Sequence, residues 1–186
     1  MVTRLFAALK QDLNKPFDRR AYYNFGVEKS AEVFLLGYGG LTLKRLQSGK
    51  QLAQFEELQP DIVILELGTN DVGANRRPET VGSEIDDLVN HLISAIKVKV
   101  VGVCLVIHRH NMNIDMPYTS FNFSAYLLNH YLEVVLDDSP SPVFTWKHRD
   151  LQKSQVVLCE DGVHLNKRGQ YLLYSICYTE VIEALC

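Results

Sequence analysis

Long apolar runs are missing from this sequence, and no stretch approaches the roughly 18 consecutive apolar residues of a transmembrane helix. The apolar run within residues 1–10 is also too short for a signal peptide. A basic excess is missing as well, because the formal net charge is −3. Since a protein that binds nucleic acid needs a basic face toward the phosphates, we expect neither a membrane protein nor a nucleic-acid-binding protein.

Cysteine is scarce, and its spacing matches neither a disulfide framework nor a metal site. The four cysteines are Cys104, Cys159, Cys177 and Cys186. Cys104 and Cys177 lie within apolar runs, which predicts reduced core residues of a cytoplasmic protein. His108 and His110 are a weak metal-ligand pair, because no carboxylate accompanies them on their loop. We expect no metal and no organic cofactor.

Predicted strands and helices alternate along the chain, which is long enough for a single domain over residues 1–186. Short β-branched runs predict the strands, and periodic apolar positions predict the helices. The strands are Val33–Leu36, Ile62–Leu67, Val98–Ile107 and Val143–Trp146, and the helices are 2–13, 41–58, 79–96, 121–136 and 167–185. This alternation favours parallel strands with right-handed crossovers, and therefore a three-layer α/β/α sandwich.

Three loops hold polar or glycine-rich residues at the ends of strands or before the last helix. They are Gly37–Gly40, Gly68–Asp71 and Glu160–His164. We expect them at one edge of the sheet, where ligands bind in open α/β folds. Asp161 lies three residues before His164, so its carboxylate can orient the imidazole as the acid of a Ser-His-Asp triad does. Simpler roles stay open: Asp161 can cap the last helix, and the glycines can form tight turns.

The three loops together resemble sequence blocks of the SGNH (GDSL-type) hydrolase family of esterases and lipases. LLGYGGLTLKRL resembles the second block, LELGTND the third, and DGVHLN the last. The resemblance implies a flavodoxin-like parallel sheet and small-molecule ester substrates. It also implies that the Gly40 N–H and the Asn70 amide form the oxyanion hole. Asp161 and His164 are, by the same resemblance, the acid and base of the triad.

The family's first block, Gly-Asp-Ser at the end of the first strand, is absent. In the family this block leads into a helix, and Val2-Thr3-Arg4-Leu5 resembles the start of that helix. We therefore expect a chain truncated relative to the family, with the first central strand missing from its sheet. No serine is well placed to attack a substrate; the ones considered are Ser30, Ser83, Ser120 and Ser124. The resemblance implies an ester hydrolase domain that is inactive as given, its serine lying upstream of Met1 or lost.

Two other functions stay open. A non-catalytic binding module (a pseudo-hydrolase) would keep the cleft without the reaction. A nucleotide site at Gly37–Gly40 is disfavoured, because position 42 of the G-x-G-x-x-G spacing is threonine.

Several side chains outside the three loops are predicted to be structural. We expect Arg109 to be solvent-exposed on a loop lining the cleft, and Trp146 to lie in the core or cleft wall. His148 is a weaker base candidate than His164, because no acid precedes it at the right spacing. The predicted core face of the helix over 121–136 is Tyr126, Leu127, Tyr131 and Val135.

Overall fold

The computed structural model describes residues 3–8, 31–110, 116–137, 142–148, 151 and 155–173. Its strands are β1 (Thr3–Ala8), β2 (Ala31–Leu35), β3 (Ile62–Leu65), β4 (Val100–Cys104) and β5 (Val143–Trp146). Its helices are α1 (Leu43–Ser48), α2 (Lys50–Leu58), α3 (Thr69–Gly73), α4 (Pro78–Ser94) and α5 (Tyr118–Asp137), with a 3₁₀ turn at Gln155–Val157. Residues 167–173 form a further helical segment, and the rest of the predicted last helix lies outside the described residues.

The strands form a five-stranded sheet in the order β2-β1-β3-β4-β5, and all four neighbouring pairs are parallel. This is the flavodoxin-type order, in which the chain reverses direction across the sheet beside the first strand. Parallel strands place all their carboxyl ends at one edge, where the loops after β2, β3 and β4 begin. The predicted α/β class with a flavodoxin-like sheet is confirmed.

The expectation that the first central strand is missing is wrong. Residues Thr3–Ala8, predicted as part of a helix, form β1 and pair with β2 on one side and β3 on the other. Without this strand, backbone groups of β2 and β3 at the sheet centre would lack partners, at about 1–3 kcal/mol for each buried group. That cost exceeds the helix preference of an ordinary residue, which is below about 1 kcal/mol. Residues 9–13 of the predicted helix lie outside the described residues.

Two hydrophobic cores lie on opposite faces of the sheet, and β3 contributes to both in alternation. Val63 and Leu65 belong to one core, and Ile62 and Ile64 belong to the other. The first core is covered by α1, α2, α4 and α5, and the second by side chains from the segment 151–173. The two covered faces produce the three-layer sandwich that the alternation predicted.

Two helices differ from their predictions. The helix predicted over 41–58 is divided at Gly49, whose extended backbone ends α1 and begins α2. The predicted core face of α5 is also wrong. Tyr126 is 58% exposed, whereas the buried apolar residues of α5 are Phe121, Ala125, Leu128, Leu132 and Leu136. No helix in the described part of the chain is long and apolar enough to cross a bilayer.

Candidate active site

Asn70 lies just after a tight turn at the carboxyl end of β3. The turn depends on Gly68, whose φ of +89° is strained for residues with a side chain. A Cβ added at Gly68 would lie 3.0 Å from Leu128 Cδ2, so the site is crowded as well. The chain then enters α3, where Asn70 is the second residue. The predicted G-T-N-D loop is therefore a glycine turn followed by a short helix.

The Asn70 turn is tied to the segment that follows Gly40. Asn70 Nδ2 donates a hydrogen bond of 2.8 Å to the carbonyl oxygen of Leu41. Asp71 is fully buried, and its two carboxylate oxygens each accept from the Leu43 N–H at 3.2 Å. Gly40 precedes this segment directly, with a φ of +66° and an exposed backbone. The structure thus brings Gly40 and Asn70 into neighbouring positions.

An ion-pair network holds the buried carboxylate of Asp71. Arg76 Nη1 lies 2.7 Å from Asp71 Oδ1, and the same guanidinium binds both carboxylate oxygens of Glu84. Hydrogen bonds to Glu84 and then to Asp71 raise the pKa of Arg76, so the cation is always present. Burying the charge of Asp71 costs free energy, and the bonds from Arg76 and from the Leu43 N–H offset that cost. Asp71 therefore anchors the turn that carries Asn70.

Asp161 and His164 are in direct contact. His164 Nδ1 lies 2.5 Å from Asp161 Oδ2, while Asp161 Oδ1 accepts from the backbone N–H groups of Val163 and His164 at 2.9 Å each. Partial burial would raise the pKa of the Asp161 carboxyl, but the hydrogen bonds from His164 and Val163 prevail and lower it to about 2. Asp161 is therefore ionised at neutral pH. About half of each side chain is exposed, 49% for His164 and 48% for Asp161.

The turn that carries this pair is closed by its own backbone. Leu158 and Leu165 form an antiparallel bridge, and the Cys159 N–H donates to the His164 carbonyl at 2.7 Å. Gly162, with a φ of +66°, allows the reversal between them. Asn166 fastens the base of the turn, since its Nδ2 donates to the carbonyls of Val156 and Leu158 at 2.7 and 2.9 Å.

The loop after β4 connects the Asn70 turn to the Asp161–His164 turn. Arg109 Nη2 donates to the Thr69 carbonyl at 3.1 Å, and the next residue, His110, donates its N–H to the Gly162 carbonyl at 2.9 Å. This loop thereby joins two of the three predicted loops, and the third, Gly37–Gly40, is held to the Asn70 turn through Leu41. Sequence reasoning placed Arg109 on the cleft-lining loop but missed this connection.

The predicted exposure of Arg109 is wrong, since only 5% of the residue is accessible. Its guanidinium lies 4.0 Å from the centre of the Phe121 ring, a favourable cation–π arrangement that helps to offset desolvation. Asn122 binds its backbone on both sides, accepting from the Arg109 N–H at 2.8 Å and donating to the Arg109 carbonyl at 2.9 Å. Burial lowers the pKa of Arg109 to about 10, and the charge of Asp161 opposes this shift, so Arg109 is a cation at neutral pH.

Other residues weighed in the sequence lie away from these loops or are buried. Trp146 and His148 are fully buried, and Trp146 belongs to the second core. Ser83 is exposed on α4, Ser120 is exposed near the start of α5, and Ser30 lies outside the described residues. Within the described ranges, no group of three metal-ligating side chains is present.

The chain matches the family model described as GDSL-like Lipase/Acylhydrolase over residues 6–172. It is a member of this family. The family assignment agrees with the sheet order and with the three loops at its carboxyl edge. Comparison with curated proteins gives no sequence match.

Solved structures of GDSL-type and other esterases share this fold at low sequence identity. A carbohydrate esterase family 3 protein from Talaromyces cellulolyticus is 16% identical, with a TM-score of 0.79 and coverage of 98% of both chains. Est24, a carbohydrate acetylesterase from Sinorhizobium meliloti, is 14% identical, with a TM-score of 0.73 and coverage of 98% of this chain and 99% of that one. The psychrotrophic esterase EstA from Pseudoalteromonas sp. is 17% identical, with a TM-score of 0.69 and coverage of 100% and 99%. At these identities the likeness establishes the fold.

Proposed function

We propose that this chain is an ester hydrolase domain in which His164 is the general base and Asp161 orients it. The observation that carries the proposal is the 2.5 Å contact between His164 Nδ1 and Asp161 Oδ2. A carboxylate on Nδ1 keeps the proton there and leaves Nε2 as the nitrogen that exchanges a proton with the substrate. About half of the His164 side chain is exposed, as access of a substrate to the ring requires.

The oxyanion donors of the proposed site are the Asn70 amide and the Gly40 N–H. A primary amide carries two hydrogens, of which one is engaged by Leu41. The second has no partner in the part of the chain that the structure describes, and we propose that it binds the oxyanion. The bond to Leu41 also fixes the amide before substrate arrives. In other hydrolases each such donor lowers the barrier by about 2.7–4 kcal/mol.

The proposed reaction is acyl transfer in two steps. A hydroxyl nucleophile attacks the ester carbonyl while His164 Nε2 takes its proton, and the tetrahedral oxyanion is held by Asn70 and Gly40. His164 then gives the proton to the departing alcohol oxygen. Water, activated in the same way, releases the carboxylic acid. Asp161 stays ionised throughout and stabilises the imidazolium, consistent with its pKa of about 2.

We further propose that the chain as given does not complete this reaction, because it lacks a nucleophile at the family position. Residues 1–29 contain no serine, and Leu9, Lys10 and Gln11 follow β1 directly. A serine upstream of Met1 would lie at the amino end of β1, at the sheet edge opposite Asn70. Because the carboxyl end of β1 is at Ala8, we propose that the serine has been lost from the residues that follow it. A non-catalytic binding module is the second candidate function, favoured by this absence of serine alone.

An ester-cleavage assay on three proteins tests the proposal. The first is the chain as given, the second carries Leu9→Ser and the third carries Lys10→Ser, both after the carboxyl end of β1. With the first protein, we expect p-nitrophenyl acetate to be hydrolysed no faster than in buffer alone. We expect at least one serine-bearing form to hydrolyse it faster than buffer does. Activity in the second or the third form supports a serine lost from the end of β1.

The matched control uses two histidines. His164→Ala must lower the activity of the serine-bearing form by roughly 10³-fold or more, and His130→Ala, on the exposed face of α5, must not. If all folded forms stay inactive, the hydrolase proposal is wrong. The binding module then predicts that the chain as given binds acetate or an acetyl ester, and that His164→Ala weakens this binding.

Acetyl esters are the first substrates to test. Among the solved structures with this fold, Est24 is named as a carbohydrate acetylesterase and a further one as an acetyl xylan esterase. We therefore propose a small acetyl ester, with acetylated sugars as the natural class. A cytoplasmic location stays a prediction, in keeping with Cys104 and Cys159, neither of which forms a disulfide among the residues that the structure describes.

A further inference from the structure

Arg109 occupies an unusual environment for a charged side chain. Only 5% of its surface is accessible. It is surrounded by α3, α5 and the loop after β4. Removing a cation from water costs several kcal/mol unless partners compensate. Its compensation comes from the Thr69 carbonyl, the Phe121 ring and the charge of Asp161.

We propose that Arg109 is a positioning residue, which holds the turn carrying Asn70 in a fixed relation to the turn carrying Asp161 and His164. The proposal rests on the proposed function of these two turns. The guanidinium binds the carbonyl of Thr69, the residue directly before Asn70. The N–H of His110, the residue directly after Arg109, binds the Gly162 carbonyl inside the other turn.

The backbone of Arg109 is held independently of its side chain. Asn122 of α5 binds both the N–H and the carbonyl of Arg109, at 2.8 and 2.9 Å. Because this backbone is fixed, the Arg109 side chain and the His110 N–H hold Thr69 and Gly162 at a constant distance from each other. Because hydrolysis needs oxyanion donors and base within a fraction of an ångström of their working geometry, this spacing sets the rate of the chemical step.

Gly73 offers a second way to disturb the same contact. A Cβ at this position would lie 3.2 Å from Arg109 Nη1 and 3.6 Å from Nη2. Gly73→Ala therefore displaces the guanidinium by a few tenths of an ångström without removing its charge. The variant keeps the cation and its burial, so it tests position apart from the presence of charge.

The first test needs no turnover. Nuclear magnetic resonance records the signals of the Asn70 side-chain amide and the His164 ring. These signals are compared between the unmodified chain and the variants Arg109→Met and Gly73→Ala. We expect both variants to shift both sets of resonances. Arg77→Met, which removes an exposed arginine at the start of α4, should leave them in place. Unshifted Asn70 and His164 resonances in folded Gly73→Ala or Arg109→Met would overturn the proposal.

The second test uses the serine-bearing form that hydrolyses p-nitrophenyl acetate. We expect Gly73→Ala and Arg109→Met to lower kcat by about 10- to 100-fold while KM changes by less than about threefold. A purely structural role predicts a lower melting temperature with kcat per folded molecule unchanged, and that result would overturn the proposal. If no serine-bearing form turns over, the proposed function fails, whereas the resonance shifts still decide the role of Arg109.

Discussion

The side-chain amide of Asn70 donates to the main-chain carbonyl of Leu41 across a gap of 28 residues in the chain between them. This bond has two consequences, one for stability and one for the proposed chemistry. It pins the segment after Gly40 to the turn after β3, and it orients the amide from which the second N–H projects.

Replacing Asn70 with alanine should therefore affect both properties. We expect a loss of about 0.5–1.5 kcal/mol in the free energy of unfolding, from one intramolecular hydrogen bond. In a serine-bearing active form we expect a fall of about 10²- to 10³-fold in kcat, from one oxyanion donor. Denaturant unfolding and steady-state kinetics measure the two effects. Asn90→Ala, which deletes an exposed amide on α4, is the control, and an equal kinetic loss there would contradict the assignment.

Asp71→Asn should be one of the more destabilising conservative changes in the chain. It removes a fully buried charge from the side chain that Arg76 and the Leu43 N–H bind. We expect a loss of about 3 kcal/mol, because the asparagine puts an N–H donor in place of one buried oxygen that accepts from the Leu43 N–H, and the charge-assisted bond from Arg76 is lost. Glu133→Gln removes the carboxylate from a surface ion pair with Lys147 at 2.7 Å and should cost less than about 1 kcal/mol. Urea unfolding of both variants makes the comparison, and similar losses would refute it.

Because His148 is buried in the folded protein, we expect the fold to lose stability in acid. Burial lowers the pKa of this histidine to about 4, and neither ring nitrogen has a hydrogen-bond partner among the residues that the structure describes. Between about pH 6.5 and 4 the unfolded chain binds a proton that the folded chain does not, so stability falls as pH falls through this window. At about pH 5 the loss is on the order of 2 kcal/mol.

The test of this acid sensitivity is the pH dependence of urea unfolding. We expect His148→Leu to flatten the stability curve between neutral pH and about pH 5. His130→Leu, at an exposed position on α5, should keep the wild-type slope. A wild-type slope in His148→Leu would show that another group binds the proton.

Three glycines differ in how they tolerate a side chain. Gly68→Ala meets both a φ of +89° and Leu128 Cδ2 at 3.0 Å, so we expect a loss of about 2 kcal/mol or more. Gly40→Ala meets only the backbone strain at φ +66°, which predicts about 1–2 kcal/mol. Gly39→Ala has open space and should be nearly neutral. Thermal unfolding ranks the three, and a neutral Gly68→Ala would contradict the crowded turn.

Local pattern was enough to predict four of the five strands. β2 to β5 are short β-branched or aromatic runs that end at glycine or polar residues, and such runs favour strands wherever they lie. β1 was not predictable in this way, because Leu5 and Phe6, together with Val2 and Leu9, also have the spacing of one helix face. Its strand conformation depends on pairing with Ala31–Leu35 and Ile62–Leu65, and such distant partners leave no trace in the local sequence.

The same distinction applies within the candidate site. The contact of Asp161 with His164 joins residues three apart, so spacing alone predicted it. The bond from Arg109 to Thr69 joins residues 40 apart, and nothing near Arg109 in the sequence marks its burial. The prediction of the core face of α5 failed for a related reason. Tyr126 and the other residues predicted to face the core have helical spacing, but so do Phe121 and Leu128, which are the buried ones. Only the position of the sheet selects between these faces.

The backbone bridge between Leu158 and Leu165 closes the Asp–His turn with bonds between residues close in sequence, and the bond from the His110 N–H to Gly162 ties the turn to the loop after β4. The geometry within the Asp161–His164 pair therefore depends mainly on short-range bonds, whereas the position of the pair relative to Asn70 depends on long-range ones. A substitution far from the turn can disturb the site by moving Asn70 relative to His164, even where the pair itself is unchanged.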